Sequence, residues 1–187
     1  MRIIYNDAGD FKNIRTAVAL GNFDGVHIGH MSLIKKIKEY DDLASCVWTF
    51  TEHTLNILKG GRHVAHITGK DEKAEIFRRE NIDYLVFQDF SYIRHMQPEA
   101  FVDEVLVGYL NARAVVCGFD YRFGRDGAGD AALLKKLLAA RNITGVVMPP
   151  VVCDGQVVSS SAIRELIQAG DIGRAEKFLG RPFRREK

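Results

Sequence analysis

No apolar run in the 187 residues is long enough to span a membrane, which takes about twenty. The opening, MRIIYNDAGDFKNIR, brings Asp and Lys early where a signal peptide would have its apolar stretch. The expected compartment is the cytoplasm. Cysteine is scarce and odd in number: Cys46, Cys117 and Cys153 lie far apart, with no Cys-x-x-Cys or Cys–His spacing that suggests a metal site. Cys46 and Cys117 fall inside apolar runs and read as small core residues. Neither sign of charge dominates. Lys and Arg number 26 against 24 Asp and Glu, a net charge of +2, which argues against a dedicated nucleic-acid or membrane binder but leaves room for a small anionic ligand. There is no internal repeat and no low-complexity segment. What remains is 47% hydrophobic and 27% charged, the mix of one globular domain over 1–187.

Strand and helix patterns alternate along it. Residues 16–21, 44–50, 84–88, 112–118 and 144–152 are apolar runs that predict strands, the last broken by Pro149-Pro150. Residues 30–40, 70–81, 98–110 and 131–142 carry helical spacing, and two short helices, 160–169 and 172–179, close the chain. The expectation is an α/β fold: a Rossmann-like, doubly wound parallel sheet of about five strands with helices on both faces. Ligands of such sheets bind beyond the carboxyl ends of the strands.

The stretch ALGNFDGVHIGH, 19–30, lies at such an end. A helix starting there offers unpaired backbone N–H groups and a positive dipole end, which attract phosphate. His27 and His30, three apart, would face one ligand. Gly29 removes a side chain where phosphate or a flat base approaches the backbone. A lone His-x-x-His is more often surface decoration, but the whole GNFDGVHIGH run argues for a site. It is neither a Walker loop nor the dinucleotide glycine fingerprint.

GNFDGVHIGH resembles the signature of the HxGH nucleotidyltransferases, and in its wording the FAD synthetase (FMN adenylyltransferase) module of bacterial bifunctional riboflavin kinase/FMN adenylyltransferases. Two more elements lie further along the chain. VVSSSAIREL (157–166) sets Ser159, Ser160 and Ser161 before a helix with Arg164 about one turn on, suited to capping or to phosphate. It is similar to the family's Ile-Ser-Ser-Thr-x-x-Arg, with Ser161 in place of Thr and Ala162 where Arg is common. VVCGFDYRFGRDGAGD (115–130) resembles a GxDFRFG…GD element, with aromatic rings to stack on a flat ring system and arginines for phosphate. TFTEHT (49–54) stands where a TFxPHP-like loop is usual, with both prolines missing, and AGDIGRAEKFLGRPF (169–183) resembles the family's closing segment. His63, His66 and His95 lack such support and read as surface residues.

The resemblance implies transfer of AMP from MgATP to FMN, giving FAD and pyrophosphate, with Mg²⁺ as the only metal and no dedicated protein cage for it. It makes His27, His30 and Arg164 the catalytic candidates. Gly21, Asn22, Phe23, Asp24, Gly29 and Ser159 to Ser161 are assigned to the nucleotide. Phe119, Asp120, Arg122, Gly124 and His53 are assigned to the flavin or nucleotide pocket, Asp120 also as an outer metal ligand. ATP and FMN are the expected partners, with no nucleic acid and no membrane. No riboflavin kinase is expected within these residues, so a separate kinase would supply FMN. Two other readings stay open: a cytidylyltransferase-like enzyme acting on a small phosphate ester, and a non-catalytic flavin- or nucleotide-binding domain.

Overall fold

The computed structural model describes residues 1–6, 11–51 and 66–184. Its elements run β1 (Arg2–Tyr5), β2 (Thr16–Leu20), α1 (Ile28–Ile37), β3 (Ala44–Phe50), α2 (Lys70–Arg79), β4 (Tyr84–Gln88) and a one-turn α3 (Phe90–Ile93). Helix α4 opens at Pro98–Ala100 and continues as a π-helix over Phe101–Tyr109. Then follow β5 (Ala112–Gly118), the short pair β6 (Arg122–Phe123) and β7 (Gly129–Asp130), α5 (Ala131–Ala139) and β8 (Thr144–Met148). The chain closes with the hairpin β9 (Val152–Cys153) and β10 (Gln156–Val157), then α6 (Ser160–Gln168) and α7 (Ile172–Leu179).

Six strands form one parallel sheet in the order β1-β4-β3-β2-β5-β8. The central strands are apolar throughout because helices cover both faces. Val18, Leu20, Val115 and Cys117 point toward α4 and α5, while Ala17, Ala19, Val47 and Val116 point toward α1 and α2. A third cluster, built on Ile163, Ala175, Phe178 and Leu179, ties α6 and α7 together beside Ile67.

The order of strands decides where a ligand can sit. From β2 the chain moves to β3 on one side; from β5 it moves to β8 on the other. Loops leaving β2 and β5 therefore part, and a crevice opens at their carboxyl ends. The loop 21–27 and the loop after Gly118 form its floor and one wall.

The structure differs from the expectation in four places. The sheet has six strands rather than about five. The extra one, β1, is a four-residue edge strand in which only Ile4 is buried, so it leaves little apolar signal. Helix α1 starts at Ile28, two residues before the expected 30–40, which makes His27 its cap. Strand β8 stops at Met148, before the two prolines, and Val152 opens a separate hairpin. Helix α4 is wound as a π-helix for most of its length, and the N–H of Leu110 reaches back to the carbonyl of Val105 at 2.8 Å. Among the described residues no helix is long and apolar enough to cross a membrane.

Candidate active site

The loop after β2 is held in a conformation that its residues would not choose. Phe23 has φ 48°, Gly25 83° and Val26 36°. Glycine accepts a positive φ, whereas a β-branched valine there is strained and needs surroundings that impose it. Those surroundings are polar. The Asn22 carbonyl accepts hydrogen bonds from Thr49 Oγ1 and from Lys73 Nζ, each at 2.9 Å. The Asp24 carboxylate, 2% exposed, accepts from the N–H groups of Ile67 (2.9 Å) and Thr68 (3.3 Å) and pairs with Arg164. Arg181 Nη1 donates to the carbonyls of Gly25 (2.7 Å) and Val26 (3.2 Å).

This loop delivers His27 to the head of α1. With φ −76° and ψ 174°, His27 is the N-cap, and its Nδ1 accepts the N–H of His30 at 3.2 Å. That bond leaves the proton of a neutral His27 on Nε2, so the ring presents a donor. His30 lies parallel to it, with ring centroids 3.6 Å apart and planes 16° apart, and its other side faces the Phe23 ring at 5.0 Å. Gly29 permits the stack: a Cβ there would stand 3.0 Å from His27 Nδ1. Burial pushes the His27 pKa down to about 4, against the pull of Asp24. Burial, and after it the neighbouring His27, Lys73 and Arg181, holds His30 well below the usual imidazole range. Both rings are neutral near pH 7. His30 Nδ1 is buried with no hydrogen-bond partner among the described residues.

A cleft of about 760 Å³ opens over this pair, a volume suited to small-molecule ligands. Gly21, Asn22, His27, Gly29 and His30 line its floor. Across from them stand Ser159, Ser160, Ser161 and Arg164 at the start of α6. Ser159 caps that helix by accepting the N–H of Ala162 at 3.2 Å, and Ser160 Oγ donates to the Asp24 carbonyl at 2.8 Å. Two serines thus serve the helix start and the loop that faces it. Phe119, Asp120, Arg122 and Gly124 line the cleft after β5, Phe119 being 49% exposed. Gly124, with φ 73°, must be glycine, since a Cβ would approach Pro98 Cγ to 2.9 Å. Phe23 and Asp24 are not among the described lining residues. They stand behind the wall, Phe23 under His30 and Asp24 orienting Arg164. Arg125 also lies off the cleft, and His95, exposed, lies on it. His53 and His63 fall outside the described residues.

Sequence reasoning missed several residues. Phe50, Phe90, Ile93 and Phe101 build an apolar wall on one side, and Met148, Pro149, Pro150 and Val151 build another. Lys73, 4% exposed, lies on a helix that reads as a charged surface element. It shares the buried stripe Lys73–Ala74–Phe77, and that helical spacing was the available signal. Burial lowers its pKa to about 8. Arg181, after the last helix, had no periodic signal at all.

Comparison with known proteins now adds to the geometry. The FAD synthetase family model matches residues 11–162, which hold every strand of the sheet but β1 and also the start of α6. The chain belongs to the FAD synthetase family. Among its relatives, the bifunctional riboflavin kinase/FMN adenylyltransferase of Listeria monocytogenes is 33% identical over 179 residues, 93% of this chain and 56% of that one. The protein of the same name from Escherichia coli K12 is 29% identical over 171 residues, 89% of this chain and 54% of that one. This FAD synthetase family chain therefore spans just over half the length of these curated relatives. A crystal structure from Streptococcus pneumoniae, described as a macrolide-efflux protein, superposes with TM-score 0.85 at 30% identity, covering 98% of this chain and 61% of that one. A pantoate-beta-alanine ligase from Francisella tularensis, at 16% identity and TM-score 0.53, shares the fold.

Proposed function

We propose that this chain transfers AMP from MgATP to FMN, giving FAD and pyrophosphate. The observation that carries the reading is the stacked, neutral His27–His30 pair at the head of α1, in a cleft with apolar walls on two sides and the Ser159–Arg164 helix start opposite. Family membership supports it. Two flat ring systems can lie against the two walls, with their phosphates meeting over the histidines.

In this reading the phosphate of FMN attacks the α-phosphorus of ATP, and the bond to the β-phosphate oxygen breaks. The attacking group is already an anion, so no side chain has to take its proton. Catalysis is then alignment and stabilisation of the charge that builds on the transferring phosphoryl and the departing pyrophosphate. His27 donates from Nε2 at the reacting centre, and His30, locked between His27 and Phe23, stands beside it. Arg164, oriented by Asp24, and the Ser161 hydroxyl at the head of α6 hold the β,γ end. Mg²⁺ comes with the nucleotide. It keeps mostly phosphate and water ligands, and Asp120 and Asp126 on the cleft wall are suited to a hydrated ion. FMN would come from a riboflavin-phosphorylating activity such as the one the relatives' names carry, and the cytoplasm is the proposed compartment.

The test is chromatography of a mixture of protein, FMN, ATP and Mg²⁺. FAD should accumulate only when all four are present. No FAD from folded protein would favour a binding domain, and product with CTP and a small phosphate ester in its place would favour the cytidylyltransferase reading.

A further inference from the structure

We infer that Arg181, which does not line the cleft, is a positioning residue that fixes His27 for the transfer step. The inference rests on the adenylyl-transfer reading of the same site. Its guanidinium sits behind the loop that carries the first histidine. Nη1 bridges the carbonyls of Gly25 and Val26 at 2.7 and 3.2 Å. Nη2 is fixed from the other side by Thr68 Oγ1 at 3.0 Å and Glu72 Oε1 at 3.4 Å. The Thr68 N–H in turn bonds to Asp24, the partner of Arg164, so one guanidinium joins both halves of the phosphate-facing wall.

The Val26 carbonyl belongs to the same planar peptide as the N–H of His27. Holding that oxygen fixes the plane from which His27 departs. Val26 itself sits at φ 36°, a conformation a β-branched residue leaves when nothing enforces it. If Val26 relaxes, His27 rotates out of its cap, Nδ1 loses the His30 N–H, and the proton is no longer confined to Nε2. A planar fork can hold two adjacent carbonyls and a hydroxyl at once, whereas an ammonium cannot do so in one plane.

The full chain is tested with Arg181→Lys and Arg181→Ala beside the parent. Steady-state kinetics give kcat and KM for each substrate. Imidazole ¹⁵N resonances report the His27 tautomer and its titration, with no turnover needed. In both variants the single Nε2–H tautomer should give way to a mixture; the titration is read in Arg181→Lys, which keeps the charge that itself lowers the His27 pKa, and should move up toward the ordinary imidazole range. The kcat should fall about tenfold or more, while both KM values stay within about twofold. Parent-like kcat in Arg181→Lys would overturn the assignment, as would a fall in kcat with the His27 tautomer and titration unchanged. If Arg181→Ala does not fold, Arg181→Lys decides; if neither folds, the residue is a structural tie only and the assignment fails. A parent chain that makes no FAD removes the proposed function and leaves the ¹⁵N measurement to judge Arg181 alone.

Discussion

In the proposed reaction the two histidines and the arginine across from them divide the work by where charge changes. His27 and His30 face the α-phosphorus in the proposed reaction, where charge develops in the transition state. His30→Ala should reduce kcat by roughly a hundredfold with little change in KM for ATP, since the lost contact belongs to the transition state. Arg164 is proposed to grip phosphates that are already charged in bound ATP, so Arg164→Ala should raise KM for ATP and lower kcat together. Melting curves of both variants separate loss of chemistry from loss of fold. The same histidines make the fold acid-sensitive. The pKa of His27 is about 4 folded against an ordinary value of 6.5, so in that window the unfolded chain binds a proton that the folded chain does not. Stability should be flat above about pH 7 and fall as pH drops toward about 4, by at most about 3 kcal/mol from this residue. His27→Asn keeps an acceptor for the His30 N–H and should lessen the dependence of Tm on pH over that range, leaving the part that His30 contributes. That these two histidines and Ser159 to Ser161 stand at helix starts was legible in the sequence from residue type and spacing, and the structure brings them onto one cleft. Lys73 and Arg181 were not legible, because a cation earns a buried place only through partners brought by distant segments, Asn22 for one and Gly25 and Thr68 for the other.

At the level of elements, the strands announced themselves. TAVAL and ARAVVCG are apolar on both faces, and both lie in the middle of the sheet with helices on either side. Strand β1 did not, since three of its four residues are not buried. Nor did the π-helix, whose winding depends on backbone bonding that apolar spacing does not encode. The loop 119–130 is the element whose fit to its neighbour is most exposed to test. Gly124, at φ 73°, lies against Pro98 at the start of α4, and the N–H of Arg125 bonds to the Met96 carbonyl at 2.6 Å. Gly124→Ala adds both a strained φ and a clash with a rigid ring, so it should lower Tm and destabilise the chain by more than about 1 kcal/mol. On the proposal that Phe119 to Gly124, a flavin or nucleotide pocket by resemblance, face FMN, it should also raise KM for FMN more than KM for ATP. A larger rise in KM for ATP would move this loop to the nucleotide.

Taken whole, the described residues form a sheet whose strand order opens a crevice, and a helical pair, α6 and α7, that holds the loop beneath it. The carboxy-terminal cluster packs on Ile67 and Ile28, and Arg181 reaches from its end to Gly25 and Val26, so the site is assembled from both ends of the chain. Trp48, the one tryptophan, stands with its ring 4.9 Å from Phe50 on the apolar wall. Its emission should therefore be quenched saturably as FMN binds, and remain nearly unchanged with ATP alone. The central claim is that the phosphate of FMN displaces pyrophosphate from ATP over the His27–His30 pair. A ³¹P NMR time course of one sample of the chain with FMN, ATP and Mg²⁺ follows every phosphorus at once. The account predicts that the FMN and ATP signals decline together while the diphosphate bridge of FAD and free pyrophosphate rise in equal amounts, and that His30→Ala slows all four changes alike. Release of ADP or orthophosphate in place of pyrophosphate, or an FMN signal that never moves, would contradict it.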